Sequence, residues 1–306
     1  MLKNTKNIPH LAALAAMTIW GLSFIWTKQL LDHLEPASIL MFRLLISAVF
    51  LFLILFFMRS FQPVRRSDIP LFLLAAFFEP FLYFMGESHG LRLVSATVTS
   101  VIISTIPVFT AIFAGIFLKE HLSKLNLFGL VFSFAGILII LVDKEFNFSA
   151  DPKGVLFLFG AVASAVLYGM ILKKLTLSYH ALTIVWVQNL IGIFYFLPVA
   201  LIAERESLMA FDYAPKLLFP LVMLGLLGSS FAFVFFAVAV KNLGVSKANV
   251  YTNLIPVFTA IFSIILLGDM PVVRQLLGMV VVITGVAMSQ ITKEKAVEAF
   301  EHQSGA

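Results

Sequence analysis

No cysteine occurs among the 306 residues, and only 12% of them are charged. The first absence excludes disulfides, thiolate metal ligands and a cysteine nucleophile. The second excludes an ordinary soluble domain, which carries about 25% charged residues. The six histidines (10, 33, 89, 121, 180 and 302) are scattered, with no His-Glu-x-x-His pair and no metal-ligand spacing. No Gly-rich loop ends in Gly-Lys-Ser/Thr, so nothing in the sequence indicates ATP hydrolysis. The sequence therefore implies no metal, no cofactor and no enzyme.

What fills the chain instead is apolar: 61% of the residues are hydrophobic, 33 of them phenylalanine, and the mean hydropathy is +1.03. A soluble fold could not hide that much apolar surface, so the lipid bilayer is the expected solvent. Charge clusters, prolines and glycines divide the sequence into ten apolar spans, near 9–31, 37–58, 69–90, 94–118, 125–142, 154–173, 181–203, 215–240, 246–267 and 274–292. The first follows Lys3 and Lys6 like a signal peptide, but its apolar stretch is too long and no small-residue cleavage pattern follows.

The net charge of +5 reads as topology rather than as an invitation to nucleic acid. With ten spans and a cytoplasmic N-terminus, thirteen Lys/Arg fall in inner segments and six in outer loops. That bias places both termini, including the tail 293–306, on the cytoplasmic side of the inner membrane. Most acids, Glu204 among them, fall in the outer loops.

The chain also repeats itself. Residues 106–113 and 255–262 both read IPVFTAIF, at an offset of 149 that continues to pair Glu120 with Asp269, Gly129 with Gly278 and Gly136 with Gly285. Trp20-Gly21 aligns with Tyr168-Gly169 at a slightly different offset. Two homologous halves follow, 9–142 and 154–292, each of five spans. Because five is odd, the second half enters the membrane inverted, an architecture of transporters. Packing explains the paired glycines.

Several elements recur in order: Trp20-Gly21, Pro36 followed by Phe42-Arg43, IPVF followed by Leu118-Lys119-Glu120, and in the second copy Leu267-Gly268-Asp269 with Gly278 and Gly285. On these the chain resembles the drug/metabolite transporter superfamily, in particular its EamA family, over nearly its whole length. Asp269 departs from the pattern, where Glu is usual. The resemblance implies ten transmembrane helices in an all-α basket around a central cavity, with the fifth helix of each half peripheral. It also implies export or exchange of small polar metabolites without naming the substrate.

Polar groups inside the spans are the candidate site. Glu79 lies near the middle of span 3, ahead of Pro80, and spacings of four keep Tyr83 and Glu87 near its face. Arg43 in span 2 is placed to pair with Glu79 or with Glu87. Two readings stand: a structural ion pair fixing span 2 against span 3, or a Glu79 carboxylate that binds an amine, another cation or a proton during transport. Ser100, Ser104 and Pro107 share a helical face and map onto Asn249, Asn253 and Pro256, giving two polar stripes that either line the pathway or pack helices. The prolines should bend both helices. Trp20 and Tyr168 are matched aromatics that either wall a pocket or pack. Gln188, Asn189, Ser229 and Ser230 are further candidate liners, with Ser229 or Ser230 standing where Glu79 does in the other half. Trp26 and Lys28 read as an interfacial belt residue and a snorkelling base. The function expected is a secondary transporter exporting small amino-acid-like or amphipathic compounds, with protons as a possible coupling ion. The alternatives are an obligate exchanger of anionic metabolites and a lipid-directed membrane enzyme.

Overall fold

The computed structural model describes residues 7–117, 124–141, 150–211, 213–268, 270 and 272–304. The motif Leu118-Lys119-Glu120, His121 and Asp269 lie outside them. The described secondary structure is helical: α1 (Ile8–Leu31), α2 (Pro36–Phe57), α3 (Arg66–Leu93), a broken α4 (Ala96–Ile103, then Ile106–Phe117), α5 (Lys124–Leu141), α6 (Pro152–Thr176), α7 (Ala181–Ala203), α8 (Pro215–Leu243), a broken α9 (Val245–Val250, a 3-10 turn Tyr251–Leu254, then Ile255–Leu267) and α10 (Val273–Ser304). Seven of these helices are long and apolar enough to cross a membrane. The other apolar helical stretches, Ala96–Thr110, Val131–Leu141 and Val273–Met288, are shorter. α10 runs on as helix to Ser304, through the stretch read as the tail.

Local chemistry sets the helix ends. Pro9, Pro36, Pro152 and Pro215 open α1, α2, α6 and α8, where the missing N–H costs nothing and φ is already helical. Ser95 caps α4 by accepting from the Val98 N–H at 3.2 Å, and Asp151 caps α6 by accepting from the Lys153 N–H at 2.8 Å. Gly268 closes α9 in the left-handed region at φ 69°.

The two expected bends are present as breaks. Pro107 and Pro256 each sit at the start of the second helical piece of α4 and α9. Three further irregularities appear: wide π-type turns open α3 at Phe77–Leu82 around Pro80, α7 at Val199–Ala203 after Pro198, and α8 at Leu224–Phe231.

The helices pack in matched pairs. α1 lies against α8 and α9, while α6 lies against α3 and α4; α2 contacts α7 and α8, while α7 contacts α2 and α3; α5 and α10 pack on each other. The α5–α10 seam is glycine-lined. A Cβ on Gly136 would stand 2.7 Å from the Val282 nitrogen, and one on Gly285 would stand 2.5 Å from the Ser133 nitrogen. Only residues without a side chain permit that approach. The outer surface carries large apolar side chains such as Phe57, Leu156 and Ile202, a surface suited to lipid.

Both ends of the bundle are tied. At one end Glu204, the last residue before a short helix (Arg205–Ala210), is buried and accepts from the Ala37 N–H (3.0 Å), the Ser38 N–H (2.7 Å) and the Ser38 hydroxyl (2.8 Å). It therefore caps α2, whose own flanking Glu35 makes no side-chain cap. The acid read as an outer-loop charge is thus a buried structural group. At the opposite end Gln62 holds the Ser178 carbonyl at 2.8 Å and the His180 N–H at 2.9 Å, and the Tyr179 hydroxyl donates to Asp68 at 2.6 Å.

The belt and snorkelling readings are corrected. Trp26 is buried and meets Phe219 edge-on. The Lys28 ammonium donates to the carbonyls of Leu91 (2.7 Å) and Val94 (3.0 Å), capping the C-terminus of α3.

Candidate functional site: a central acidic cavity

A cavity lies between the helices, and none of the described residues of α5, α7 or α10 lines it. α3 supplies its polar wall, with Glu79, Tyr83, Phe84 and Glu87. Facing them are Trp20, Ser23 and Phe24 of α1 and Arg43 of α2. α6 adds Tyr168 and Gly169, α8 adds Phe233 and Phe236, and α9 adds Asn249 and Thr252. The result is an aromatic-walled chamber holding two carboxylates and one guanidinium.

The wide turn of α3 explains how Glu79 reaches this chamber. Glu79 leaves helical geometry (φ −146°, ψ 117°), and the ladder around Pro80 opens. Pro80 has no N–H, so the carbonyl one turn before it has no helical donor. In the structure it is the Phe78 carbonyl that takes an outside donor, the Ser164 hydroxyl of α6 at 2.7 Å. Glu79 is buried, and its carboxylate accepts no hydrogen bond among the described residues. Tyr83 faces Glu87 one turn away.

Arg43 does not form the expected ion pair. It is 1% exposed, and among the described residues no carboxylate lies within 4.0 Å of it. Its Nε instead donates to the Ser229 hydroxyl at 2.8 Å, and its Cζ sits 4.2 Å from the centre of the Phe84 ring. Glu79, Tyr83 and Glu87 face it across the same cavity. A desolvated guanidinium on a ring face explains the choice: the π face and the serine fix it, and the carboxylates act at longer range.

Of the sequence-derived candidates, Glu79, Arg43, Tyr83, Trp20, Tyr168 and Asn249 meet at this one cavity. Trp20 is anchored by its Nε1, which donates to the Gly228 carbonyl at 3.3 Å, and stands edge-on to Phe233. The Tyr168 hydroxyl donates to Gln188 at 3.1 Å. Ser100, Ser104 and Asn253 are not on the cavity wall. Both serine hydroxyls are fully buried and return to their own helix, on the Thr97 carbonyl at 2.8 Å and the Val101 carbonyl at 2.7 Å. Asn253 is buried, with an Oδ1 that has no partner among the described residues. Gln188, Asn189, Ser229 and Ser230 form a layer behind the wall rather than the wall itself. Sequence reasoning missed the phenylalanines of the chamber, Phe24, Phe84, Phe233 and Phe236, because among 33 phenylalanines nothing marks these four.

Comparison with known proteins gives this chamber its context. The model of the EamA-like transporter family matches residues 7–142 and again residues 152–290. The chain belongs to the EamA-like transporter family. An uncharacterized transporter of Archaeoglobus fulgidus is 28% identical over 292 residues, covering 94% of this chain and 98% of its own. The transporter YcxC of Bacillus subtilis is 26% identical and covers 96% of each chain. A protein crystal structure superimposes with a TM-score of 0.66 at 15% identity, covering 94% of this chain and 98% of that one, which shows the fold alone. As a member of the EamA-like family the chain is a multi-pass membrane transporter rather than an enzyme.

Proposed function

We propose that this transporter is a secondary exporter of small amino-acid-like or amphipathic compounds, working across the inner membrane by alternating access. In this reading ten helices cross the membrane as two inverted halves of five, with both termini in the cytoplasm. The matched packing of α1 on α8 and α9 and of α6 on α3 and α4 supports that symmetry, and so does the distribution of Lys and Arg along the chain.

The observation that carries the proposal is Glu79: a buried carboxylate that accepts no hydrogen bond among the described residues, in the cavity wall where α3 leaves helical form. Such a group is costly in a membrane and serves a cation, an amine or a proton. The mixture of two carboxylates with one guanidinium favours a small molecule with an amino group over a polyanion, which would need several basic residues. The test is efflux from proteoliposomes against a panel of metabolites, with and without a pH gradient. Flux of an amine-bearing compound that a gradient accelerates is the expected result. No flux of any compound from folded protein overturns the proposal.

A further inference from the structure

Behind the cavity wall lies a buried polar layer whose hydrogen bonds run in one direction. Asn189 Nδ2 donates to the Ser47 hydroxyl at 2.6 Å and to the Ser229 carbonyl at 3.2 Å. The Ser47 and Ser230 hydroxyls are 2.7 Å apart, and Ser230 donates to the Gly225 carbonyl at 2.9 Å. Since Ser230 gives its proton to Gly225, Ser47 must donate to Ser230. The chain therefore runs from Asn189 through Ser47 and Ser230 into the wide turn of α8. These three side chains and that of Ser229 are all at least nine-tenths buried.

The end product of this layer is the posture of Arg43. Asn189 fixes the Ser229 backbone, and the Ser229 hydroxyl takes the Nε proton. The Phe84 ring holds one face of the guanidinium, and Gly228 adjoins it so closely that a Cβ there would stand 3.3 Å from Nη2. One donor is thus engaged, while the two terminal amino groups make no hydrogen bond among the described residues. Arginine stays charged and presents its donors as a planar fork. In a membrane interior those N–H groups need an acceptor. The planar group that matches two parallel N–H donors is a carboxylate, and with Glu79 and Glu87 nearby a singly charged acceptor fits better than a dianion.

We propose that Ser229 and Asn189 are positioning residues that hold Arg43 so that its terminal amino groups receive a carboxylate of the transported molecule. The inference rests on the reading of this cavity as the transport site. It also assigns the position that carries an acid in the first half to a different task in the second: Ser229 orients the anion-binding group instead of meeting substrate itself.

The experiment measures binding to the purified full-length protein in lipid nanodiscs. The probes are matched pairs differing only in the carboxylate: L-leucine and L-leucinamide, L-phenylalanine and L-phenylalaninamide, hexanoate and hexanamide. At least one carboxylate is expected to bind about tenfold more tightly than its amide. Ser229→Ala and Asn189→Leu should remove that preference, weakening the carboxylate about tenfold and the amide less than twofold, and Ser229→Thr should restore it. Equal weakening of both members of a pair, with a lowered melting temperature, would mark the layer as structural and overturn the inference. So would a wild-type protein that binds the amide as well as the carboxylate. Discrimination that survives both variants defeats the positioning role alone. If no probe binds folded wild-type protein, the inference fails together with the cavity reading.

Discussion

The stretches 7–142 and 152–290 both match one family model, yet they divide the labour unequally. Their mechanical parts correspond. α3 and α8 each open into wide turns, α4 and α9 each break ahead of a proline, and α5 and α10 meet through glycines. The correspondence extends to a feature with no shared motif. Lys28 of α1 caps the C-terminus of α3, and Lys173 of α6 reaches the Val240 and Lys241 carbonyls at the C-terminus of α8. The chemistry does not correspond. The wide turn of α3 puts Glu79 into the cavity, while that of α8 holds Ser229 behind Arg43. Duplicated helices keep duplicated packing because packing depends on shape. A binding site at the join needs different groups on its two sides, so the copies are free to diverge there.

The largest test of this inequality is at the wide turns. Glu79→Gln is expected to lower flux at least about tenfold while the protein still inserts, since the amide preserves shape but cannot take a charge or a proton. Moving the acid across, as Glu79→Ser with Ser229→Glu, should not restore transport, because Ser229 contacts Arg43 rather than the cavity. Restored flux in that double variant would show the halves to be chemically interchangeable.

Next come the glycines, where the halves should behave alike. Gly136→Ala and Gly285→Ala each drive a methyl group into backbone of the facing helix, and each should cost about 1–3 kcal/mol. Gly160→Ala meets nothing within 4 Å and should be neutral or slightly stabilising. Thermal melts of the detergent-solubilised protein compare the three; unequal losses at Gly136 and Gly285 would break the equivalence.

The lysine caps predict a graded effect. Lys28 donates at 2.7 and 3.0 Å, whereas both contacts of Lys173 are 3.5 Å. Lys28→Met should therefore cost about 1–2 kcal/mol and Lys173→Met less than about 1 kcal/mol. A larger loss at Lys173 would reverse the ranking.

The smallest effect is expected at the exposed ion pair of Arg92 with Glu35 in the first half. The hydrogen bond from Arg92 lowers the Glu35 carboxyl below its ordinary value. A lowered folded-state value gives stability that is present above the unfolded pKa and is lost as pH falls through the folded one. Because both side chains are open to solvent, Glu35→Gln should cost at most about 0.5 kcal/mol near neutral pH, and the difference from wild type should vanish in acid. A pH series of melting temperatures checks it.

Some of this was legible in the chain as written. IPVFTAIF occurs once in each of the two stretches that match the family model, and Pro107 and Pro256 marked both breaks because a missing N–H acts locally in any surroundings. Glu79 and Arg43 stood out because ionisable groups in apolar runs are rare and expensive. Which polar groups face one another was not legible. Ser100 and Ser104 looked like a lining stripe, but a serine hydroxyl inside a helix can satisfy itself on its own backbone, as both do. Glu204 looked like a loop charge because its partner, the uncapped N-terminus of α2, is 167 residues away in sequence.

Sequence by itself therefore determined the solvent, the helical class, the recurrence of one motif and the break points, since composition and covalent geometry act without reference to distant neighbours. Only the tertiary structure decided that Arg43 rests on Phe84 and Ser229, that Asn189 and Ser230 stand behind the wall, and that four unmarked phenylalanines complete the chamber. The physical reason is that a membrane helix is apolar toward lipid and apolar toward its neighbours, so periodicity does not tell one face from the other.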